Sequence, residues 1–312
     1  MKVAFLGAGL MGEPMAGHLL RAGHEVFVTV NRNREPIERL VKAGAVEVGS
    51  PAEAAAATDV ALMILPTSHE VESVLFRDDG IAAGMPPGYL AVDMGTCYPA
   101  DTRRLAEQFA AAGGRLIDAP VTGGTEGARD ATLSIMAGGD IAAFEQIRPL
   151  LEAFGKHLYH FGEIGSGHAA KLVQNMIGFI EVAAVAEGLA LSKALGLDSA
   201  PFFDMLTNSH SNSPIIQWMV PKVFAGEFEA EARLDIAYKD MSQAVKLGRE
   251  ATKLPLGIAN AATEVYQLGR ALGYGALDST AVVKGLEHIL GEEIRVATPP
   301  GDATKRLADE AR

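Results

Sequence analysis

The sequence predicts an α/β protein in which an N-terminal doubly wound parallel sheet is followed by an all-α C-terminal domain. Three observations carry that expectation. Up to about residue 160, short apolar runs rich in β-branched residues alternate with alanine-rich helical patterns, and strands that alternate with helices pair in parallel through crossovers. After Gly165-Ser166-Gly167 breakers become sparse and apolar residues recur at helical spacing, with no convincing strand to about residue 291. The chain has 312 residues, more than a single core usually organises.

Taken in order, strands are predicted over residues 3–6, 25–30, 60–65, 89–92, 115–117 and 132–137, and a long helix over 168–195. That helix is long enough to be shared by two domains. The predicted division is therefore 1–164 for the sheet domain and 165–291 for the helical domain, with 292–312 as a surface tail containing Pro299-Pro300-Gly301. No internal repeat of solenoid period is present.

Lys and Arg number 27 against 39 Asp and Glu, a net charge of −12. This excludes a general phosphate-backbone binder, which needs cationic patches, so no nucleic-acid partner is expected. An anionic small substrate would need its own local cations. The single cysteine, Cys97, cannot form an internal disulfide and suits a reducing compartment. The N-terminal apolar run is broken at once by Gly7 and Gly9, unlike a secretory signal, and the apolar stretch 176–186 is interrupted by Gly178 and Glu181. A soluble cytoplasmic protein with no membrane partner is expected.

Gly7-Ala8-Gly9-Leu10-Met11-Gly12 fits G-x-G-x-x-G directly after a predicted strand and at the start of a helix. The first glycine permits the tight turn, the second lets the backbone approach a pyrophosphate, and the third allows helix and strand to pack closely. The helix N-terminus then offers backbone N–H groups to the phosphates. A dinucleotide-binding Rossmann domain follows. About twenty residues on, where an acidic side chain commonly holds the adenosine ribose hydroxyls, this chain has Asn31, Arg32 and Arg34. A carboxylate repels a ribose 2′-phosphate, whereas guanidinium groups pair with it. NADP(H) is therefore expected over NAD(H), with NAD(H) still possible.

Three further stretches could carry chemistry. Asp118-Ala119-Pro120-Val121-Thr122-Gly123-Gly124 follows a predicted strand and offers a hydroxyl beside a loop whose backbone N–H groups could hold a carboxylate. Gly165-Ser166-Gly167-His168-Ala169-Ala170-Lys171-Leu172-Val173-Gln174-Asn175 opens the long helix. Its Lys171 and Asn175 stand at i and i+4, on one face. Carbonyl reduction needs a proton donor beside the oxygen, and a partly desolvated Lys can serve. Lys239-Asp240 reads by itself as a surface ion pair. No metal site is expected.

Together these stretches resemble the β-hydroxyacid dehydrogenase family, which includes 3-hydroxyisobutyrate dehydrogenase and the tartronate semialdehyde, succinic semialdehyde and glyoxylate reductases. The resemblance covers about residues 1–291. It rests on FLGAGLMGEPMAGHLL, on DAPVTGG beside the family's DAPVSGG, on GSGHAAKLVQN as GxGxxxKxxxN, and on YKDM as the late KD motif. It implies that Lys171 is the general acid in reduction and the base in oxidation. Thr122, Gly123, Gly124 and Asn175 would hold the substrate carboxylate and hydroxyl. Lys239 would face the cofactor with Asp240 supporting it, Thr96 would lie near the nicotinamide, and the pair Leu65-Pro66 would sit beside the cofactor at the end of a strand. Two positions depart from the pattern: Thr122 replaces the usual Ser, and Gly95 stands where D-x-S-T has Ser.

The expected activity is NADP-dependent interconversion of a small β-hydroxy acid and its semialdehyde. The alternatives are an imine reductase of the same architecture, which generally lacks the Lys of GxGxxxKxxxN, and a catalytically inactive dinucleotide-binding module. The segment His210–Trp218 matches no pattern of the family and could line the site. Apolar runs around Ile177–Ile180 and Val182–Val185 add surface that one small core does not readily cover, so a homodimer or homotetramer is expected.

Overall fold

The computed structural model describes residues 1–31 and 33–296. Six strands, β1 (Lys2–Leu6), β2 (Glu25–Val28), β3 (Val46–Glu47), β4 (Val60–Met63), β5 (Leu90–Asp93) and β6 (Arg115–Asp118), form a parallel sheet in the order β3-β2-β1-β4-β5-β6. This is the doubly wound order whose switch point lies at β1. The alternation of side chains along each strand covers both faces. Val3, Phe5, Val60, Leu62, Leu90 and Val92 join one core cluster, and Ala4, Leu6, Ala61, Met63 and Ala91 join the other.

The connecting helices are α1 (Gly12–Arg21), α2 (Glu35–Lys42), α3 (Pro51–Ala57), α4 (Ser68–Phe76), α5 (Ile81–Gly84) and α6 (Pro99–Ala111). Their starts follow local chemistry. Ser50 accepts from the Glu53 N–H at 3.1 Å, the Glu53 carboxylate takes the Gly49 N–H at 2.8 Å, and Pro51 occupies the first turn. A second, three-stranded sheet of β7 (Val121–Thr122), β8 (Leu133–Ala137) and β9 (Gly155–His160) follows, with α7 (Gly124–Asp130) and α8 (Ile141–Leu151) between its strands. The expected strand at 132–137 is β8, whereas β3, β7 and β9 were not anticipated.

From residue 166 onward the described chain is helical: α9 (Ser166–Ala194), α10 (Ser199–Thr207), α11 (Pro214–Ala225), α12 (Leu234–Leu247), α13 (Gly257–Ala271) and α14 (Val283–Leu290). Contacts divide the chain into two compact units after Leu172. The second unit has its own core, to which α9 contributes Val182, Ala186 and Leu189, α11 contributes Met219 and Val223, and α12 contributes Ala237 and Met241. Buried Tyr266 of α13 donates to the Phe179 carbonyl at 3.0 Å.

Helix α9 spans 29 residues, close to the long helix expected over 168–195, and is long and apolar enough by composition alone to cross a bilayer. Its buried face belongs to the core of the second unit, and it carries Lys171, Glu181, Glu187 and Lys193; these features fit a core helix. Ile294 is buried, and Arg295 pairs with Glu287 at 2.5 Å. Residues 297–312, which make up most of the expected tail, lie outside the described residues.

Candidate active site

The glycine loop connects β1 to α1, and its three glycines meet different demands. A Cβ on Gly7 would lie 2.2 Å from the Ile64 carbonyl oxygen, and one on Gly12 would lie 2.0 Å from the Gly7 oxygen. Gly7 also takes φ of +107°, which side chains resist. A Cβ on Gly9 meets nothing within 4 Å. Gly7 and Gly12 therefore let the chain pack on itself, while exposed Gly9 leaves open space at the turn. Ala8 and Met11 are half-buried, Leu10 is exposed, and α1 begins without a side-chain cap. These residues fit a dinucleotide pyrophosphate on the helix N-terminus.

At the end of β2, Asn31 is exposed and Arg32 lies outside the described residues. Arg34 is exposed and already engaged: its guanidinium donates to both carboxylate oxygens of Glu47 at 3.1 and 3.2 Å, and it lies 3.5 Å from Glu38. A ribose 2′-phosphate at this position would share Arg34 with Glu47.

At the ends of β4 and β5, Leu65 is half-buried, Pro66 is exposed and Thr96 is half-buried. The sequence resemblance left Gly95 as a lost serine; the structure gives a reason for it. A Cβ there would stand 2.5 Å from the Leu65 carbonyl oxygen, and the Gly95 N–H donates to Asp93 Oδ1 at 3.0 Å. The two strand ends cross too closely for a side chain.

The DAPVTGG stretch is more regular than a loop. Val121 and Thr122 form β7, paired with Ile135 and Ser134, and Gly124 starts α7. Gly123 and Gly124 take φ of +129° and +64°, so the turn between strand and helix depends on both glycines. Thr122 is half-buried at the last position of its strand.

Lys171 is buried in the second turn of α9, and half-buried Asn175 follows one turn later on the same helix. In the second unit Asn175 Nδ2 donates to Asp240 Oδ2 at 2.7 Å, and Lys239 Nζ lies 3.2 Å from Asp240 Oδ1. Asp240 itself is buried. The pair Lys239-Asp240 is thus no solvated surface ion pair: it is tied to the Asn of the KxxxN stretch.

Sequence reading missed a buried polar set in the first unit. Asp118, the first residue of DAPVTGG, accepts the Gly165 N–H at Oδ1 and the His168 N–H at Oδ2, both at 2.7 Å. The His168 ring is fully buried, with Nδ1 2.7 Å from Thr102 Oγ1 and Nε2 3.7 Å from Asp93 Oδ2. Asp93, Cys97 and His168 place one donor atom each within 4.8 Å of one another. Asp118 and His168 both lie inside motifs already singled out, which was the available signal.

Comparison with known proteins decides the family. A family model described as the NAD binding domain of 6-phosphogluconate dehydrogenase matches residues 2–162, and one described as the NAD-binding of NADP-dependent 3-hydroxyisobutyrate dehydrogenase matches residues 165–286. The chain is 35% identical over 297 residues to 2-hydroxy-3-oxopropionate reductase of Escherichia coli, covering 94% of this chain and 100% of that one. It belongs to the β-hydroxyacid dehydrogenase family. Another member of the family, 2-(hydroxymethyl)glutarate dehydrogenase of Eubacterium barkeri, is 34% identical, over 94% of this chain and 97% of its own. A solved 3-hydroxyisobutyrate dehydrogenase from Salmonella typhimurium superposes with a TM-score of 0.84 at 29% identity, covering 91% of this chain and 99% of that one. As a β-hydroxyacid dehydrogenase the protein is an NAD(P)-binding oxidoreductase acting on CH–OH donors.

Proposed function

We propose that this enzyme interconverts a small β-hydroxy acid and its semialdehyde with NADP(H) as the preferred cofactor and Lys171 as the general acid and base. The observation that carries the reading is Lys171 itself, a buried lysine one helical turn before Asn175 in a GxGxxxKxxxN stretch. A lysine held beside the carbonyl oxygen can pass its proton to the alkoxide as that forms. Imine reductases of this architecture generally lack that lysine, so its presence favours carbonyl chemistry.

The bound nicotinamide would supply or accept the hydride. Gly7, Ala8, Gly9, Leu10, Met11 and Gly12 would hold the pyrophosphate, and Asn31, Arg32 and Arg34 the adenosine ribose with its 2′-phosphate. Leu65 and Pro66 would lie beside the cofactor and Thr96 near its nicotinamide, and Lys239 would face the cofactor with Asp240 fixing its position. Thr122, Gly123, Gly124 and Asn175 would hold the substrate carboxylate and hydroxyl. Lys171 would donate a proton to the carbonyl oxygen in reduction and take it back in oxidation. The added methyl of Thr122 narrows the site relative to a serine, which favours the smaller acid aldehydes.

We further propose a cytoplasmic homo-oligomer, a dimer or tetramer. Val173, Ile177 and Leu191 of α9, with Leu195 just beyond its end, are between 49% and 66% exposed, an apolar surface that a second copy would cover.

The test is NADPH consumption with glyoxylate, succinic semialdehyde, tartronate semialdehyde and methylmalonate semialdehyde, each repeated with NADH. Turnover of one or more of these with a preference for NADPH is expected. Tight cofactor binding with no turnover of any acid aldehyde would instead favour the inactive module.

A further inference from the structure

Four buried groups around the start of α9 serve no step of the reaction proposed above. The Asp118 carboxylate spends one oxygen on the Gly165 N–H and the other on the His168 N–H. Its own backbone is bridged to Gly138 in both directions, at 3.1 and 2.8 Å. The approach is tight: a Cβ on Gly167 would meet the Met136 carbonyl oxygen at 2.2 Å and Asp118 Oδ2 at 2.8 Å, and one on Gly138 would meet the Gly167 nitrogen at 2.7 Å. One carboxylate thus clamps the first turn of α9 against the strand that leads into the Thr122-Gly123-Gly124 turn.

The imidazole of His168 completes the clamp from the other side. Thr102 of α6 donates its hydroxyl proton to the Tyr98 carbonyl at 3.2 Å, so its oxygen receives Nδ1–H of His168 at 2.7 Å. Nε2 is buried without a hydrogen-bond partner and faces Asp93 Oδ2 at 3.7 Å, at the end of β5. The ring is 0% exposed, so neither it nor α9 can shift without stranding buried polar groups.

We propose that Asp118 and His168 are positioning residues for Lys171, locking the first turn of its helix to β5, β6 and α6 so that the ammonium is held at a fixed point relative to the turn at Thr122. This rests on the reading of Lys171 as the proton donor. Lys171 is three residues beyond His168, one turn of a helix whose origin the clamp sets. A small displacement of a reacting group costs rate far more than it costs binding.

The experiment compares the holoenzyme with Asp118→Asn, His168→Phe, His168→Asn and Thr102→Val, with Lys171→Ala as control. Cofactor affinity, kcat, KM, melting temperature and metal content are measured for each. Asp118→Asn and His168→Phe are expected to lower kcat by about 10²-fold at a temperature well below melting, with cofactor Kd within about twofold of wild type. His168→Asn, whose amide N–H can reach Thr102 as Nδ1–H does, should recover most of the rate. Thr102→Val, nearly isosteric, tests the ring's anchor should the other variants fail to fold, and should also lower kcat.

An inactive Lys171→Ala together with wild-type kcat in Asp118→Asn, His168→Phe and Thr102→Val would overturn the positioning role while leaving the role of Lys171 intact. Near-normal turnover of Lys171→Ala would instead remove the reading on which it rests. One equivalent of bound zinc, lost in His168→Phe, would also overturn it, assigning Asp93, Cys97 and His168 to a metal.

Discussion

Asn175 Nδ2 donates to Asp240 Oδ2 at 2.7 Å, joining the Asn of the KxxxN stretch to the KD motif 65 residues later. Asp240 is buried and also faces Lys239 at 3.2 Å, so one carboxylate fixes an amide and an ammonium at once. Replacing Asp240 with Asn keeps the volume but removes the charge that Lys239 faces. Asp240→Asn is expected to cost about 1.5–3 kcal/mol of stability, because the Asn175 amide then donates to a neutral oxygen and the Lys239 ammonium loses the carboxylate it faces. Substrate KM should rise as well, since Asn175 is held less firmly. Thermal denaturation and steady-state kinetics check both, and unchanged values would show the pair to be idle.

The Gly95 position tests whether the missing serine is a local necessity. Its Cβ would stand 2.5 Å from the Leu65 carbonyl oxygen, a backbone atom that cannot swing away. Gly95→Ser is expected to destabilise the first unit by about 1–3 kcal/mol, as overpacking generally does, and to weaken cofactor binding through displacement of Leu65. Thermal melting and fluorescence titration with NADPH would read these effects.

The Arg34–Glu47 contact bears on cofactor choice. Because Glu47 holds Arg34 through both oxygens, it would compete with a 2′-phosphate and offer little to the ribose of NADH. Glu47→Gln is expected to lower KM for NADPH and leave that for NADH nearly unchanged. Arg34→Ala should raise KM for NADPH by about tenfold, the loss of roughly one charge-assisted contact. Equal effects on both cofactors would detach Arg34 from the phosphate.

Burial pushes the Tyr89 phenol up from the ordinary value of 10, against a smaller opposing effect of its hydrogen bond with Thr58. Thr58 donates to the Ala54 carbonyl, so the Tyr89 hydroxyl donates to Thr58, at 2.7 Å. A phenol whose folded-state pKa is raised contributes stability in full below pH 10; that contribution is lost as the unfolded chain ionises above it. Stability should therefore fall beyond about pH 10, and Tyr89→Phe should reduce that fall while costing about 1 kcal/mol at neutral pH. Denaturant melts at pH 7 and pH 11 provide the check.

The parts of this molecule legible in its sequence are those set by local patterns. The glycine loop could be read because all three glycines and the strand before them lie within the first 12 residues, and the alternation of helix and strand marked the parallel sheet. The two-residue β3 is too short to show periodicity, and β9, Gly155-Lys156-His157-Leu158-Tyr159-His160, is mostly polar. The predicted strand at 25–30 stops at Val28, where pairing with β3 ends. The clamp between Asp118 and His168 bridges 50 residues, and the Asp240 contact 65. No short-range pattern announces such pairs, because only the folded chain brings them together.

The central claim is that Lys171 carries the proton, and the most direct test is a single pair of measurements on Lys171→Ala: NADPH binding by fluorescence and NADPH-dependent reduction of the best aldehyde substrate. The expected result is cofactor affinity close to wild type with turnover lowered by at least about 10²-fold, the usual contribution of a general acid. Turnover near the wild-type rate in a folded, NADPH-binding variant would contradict it.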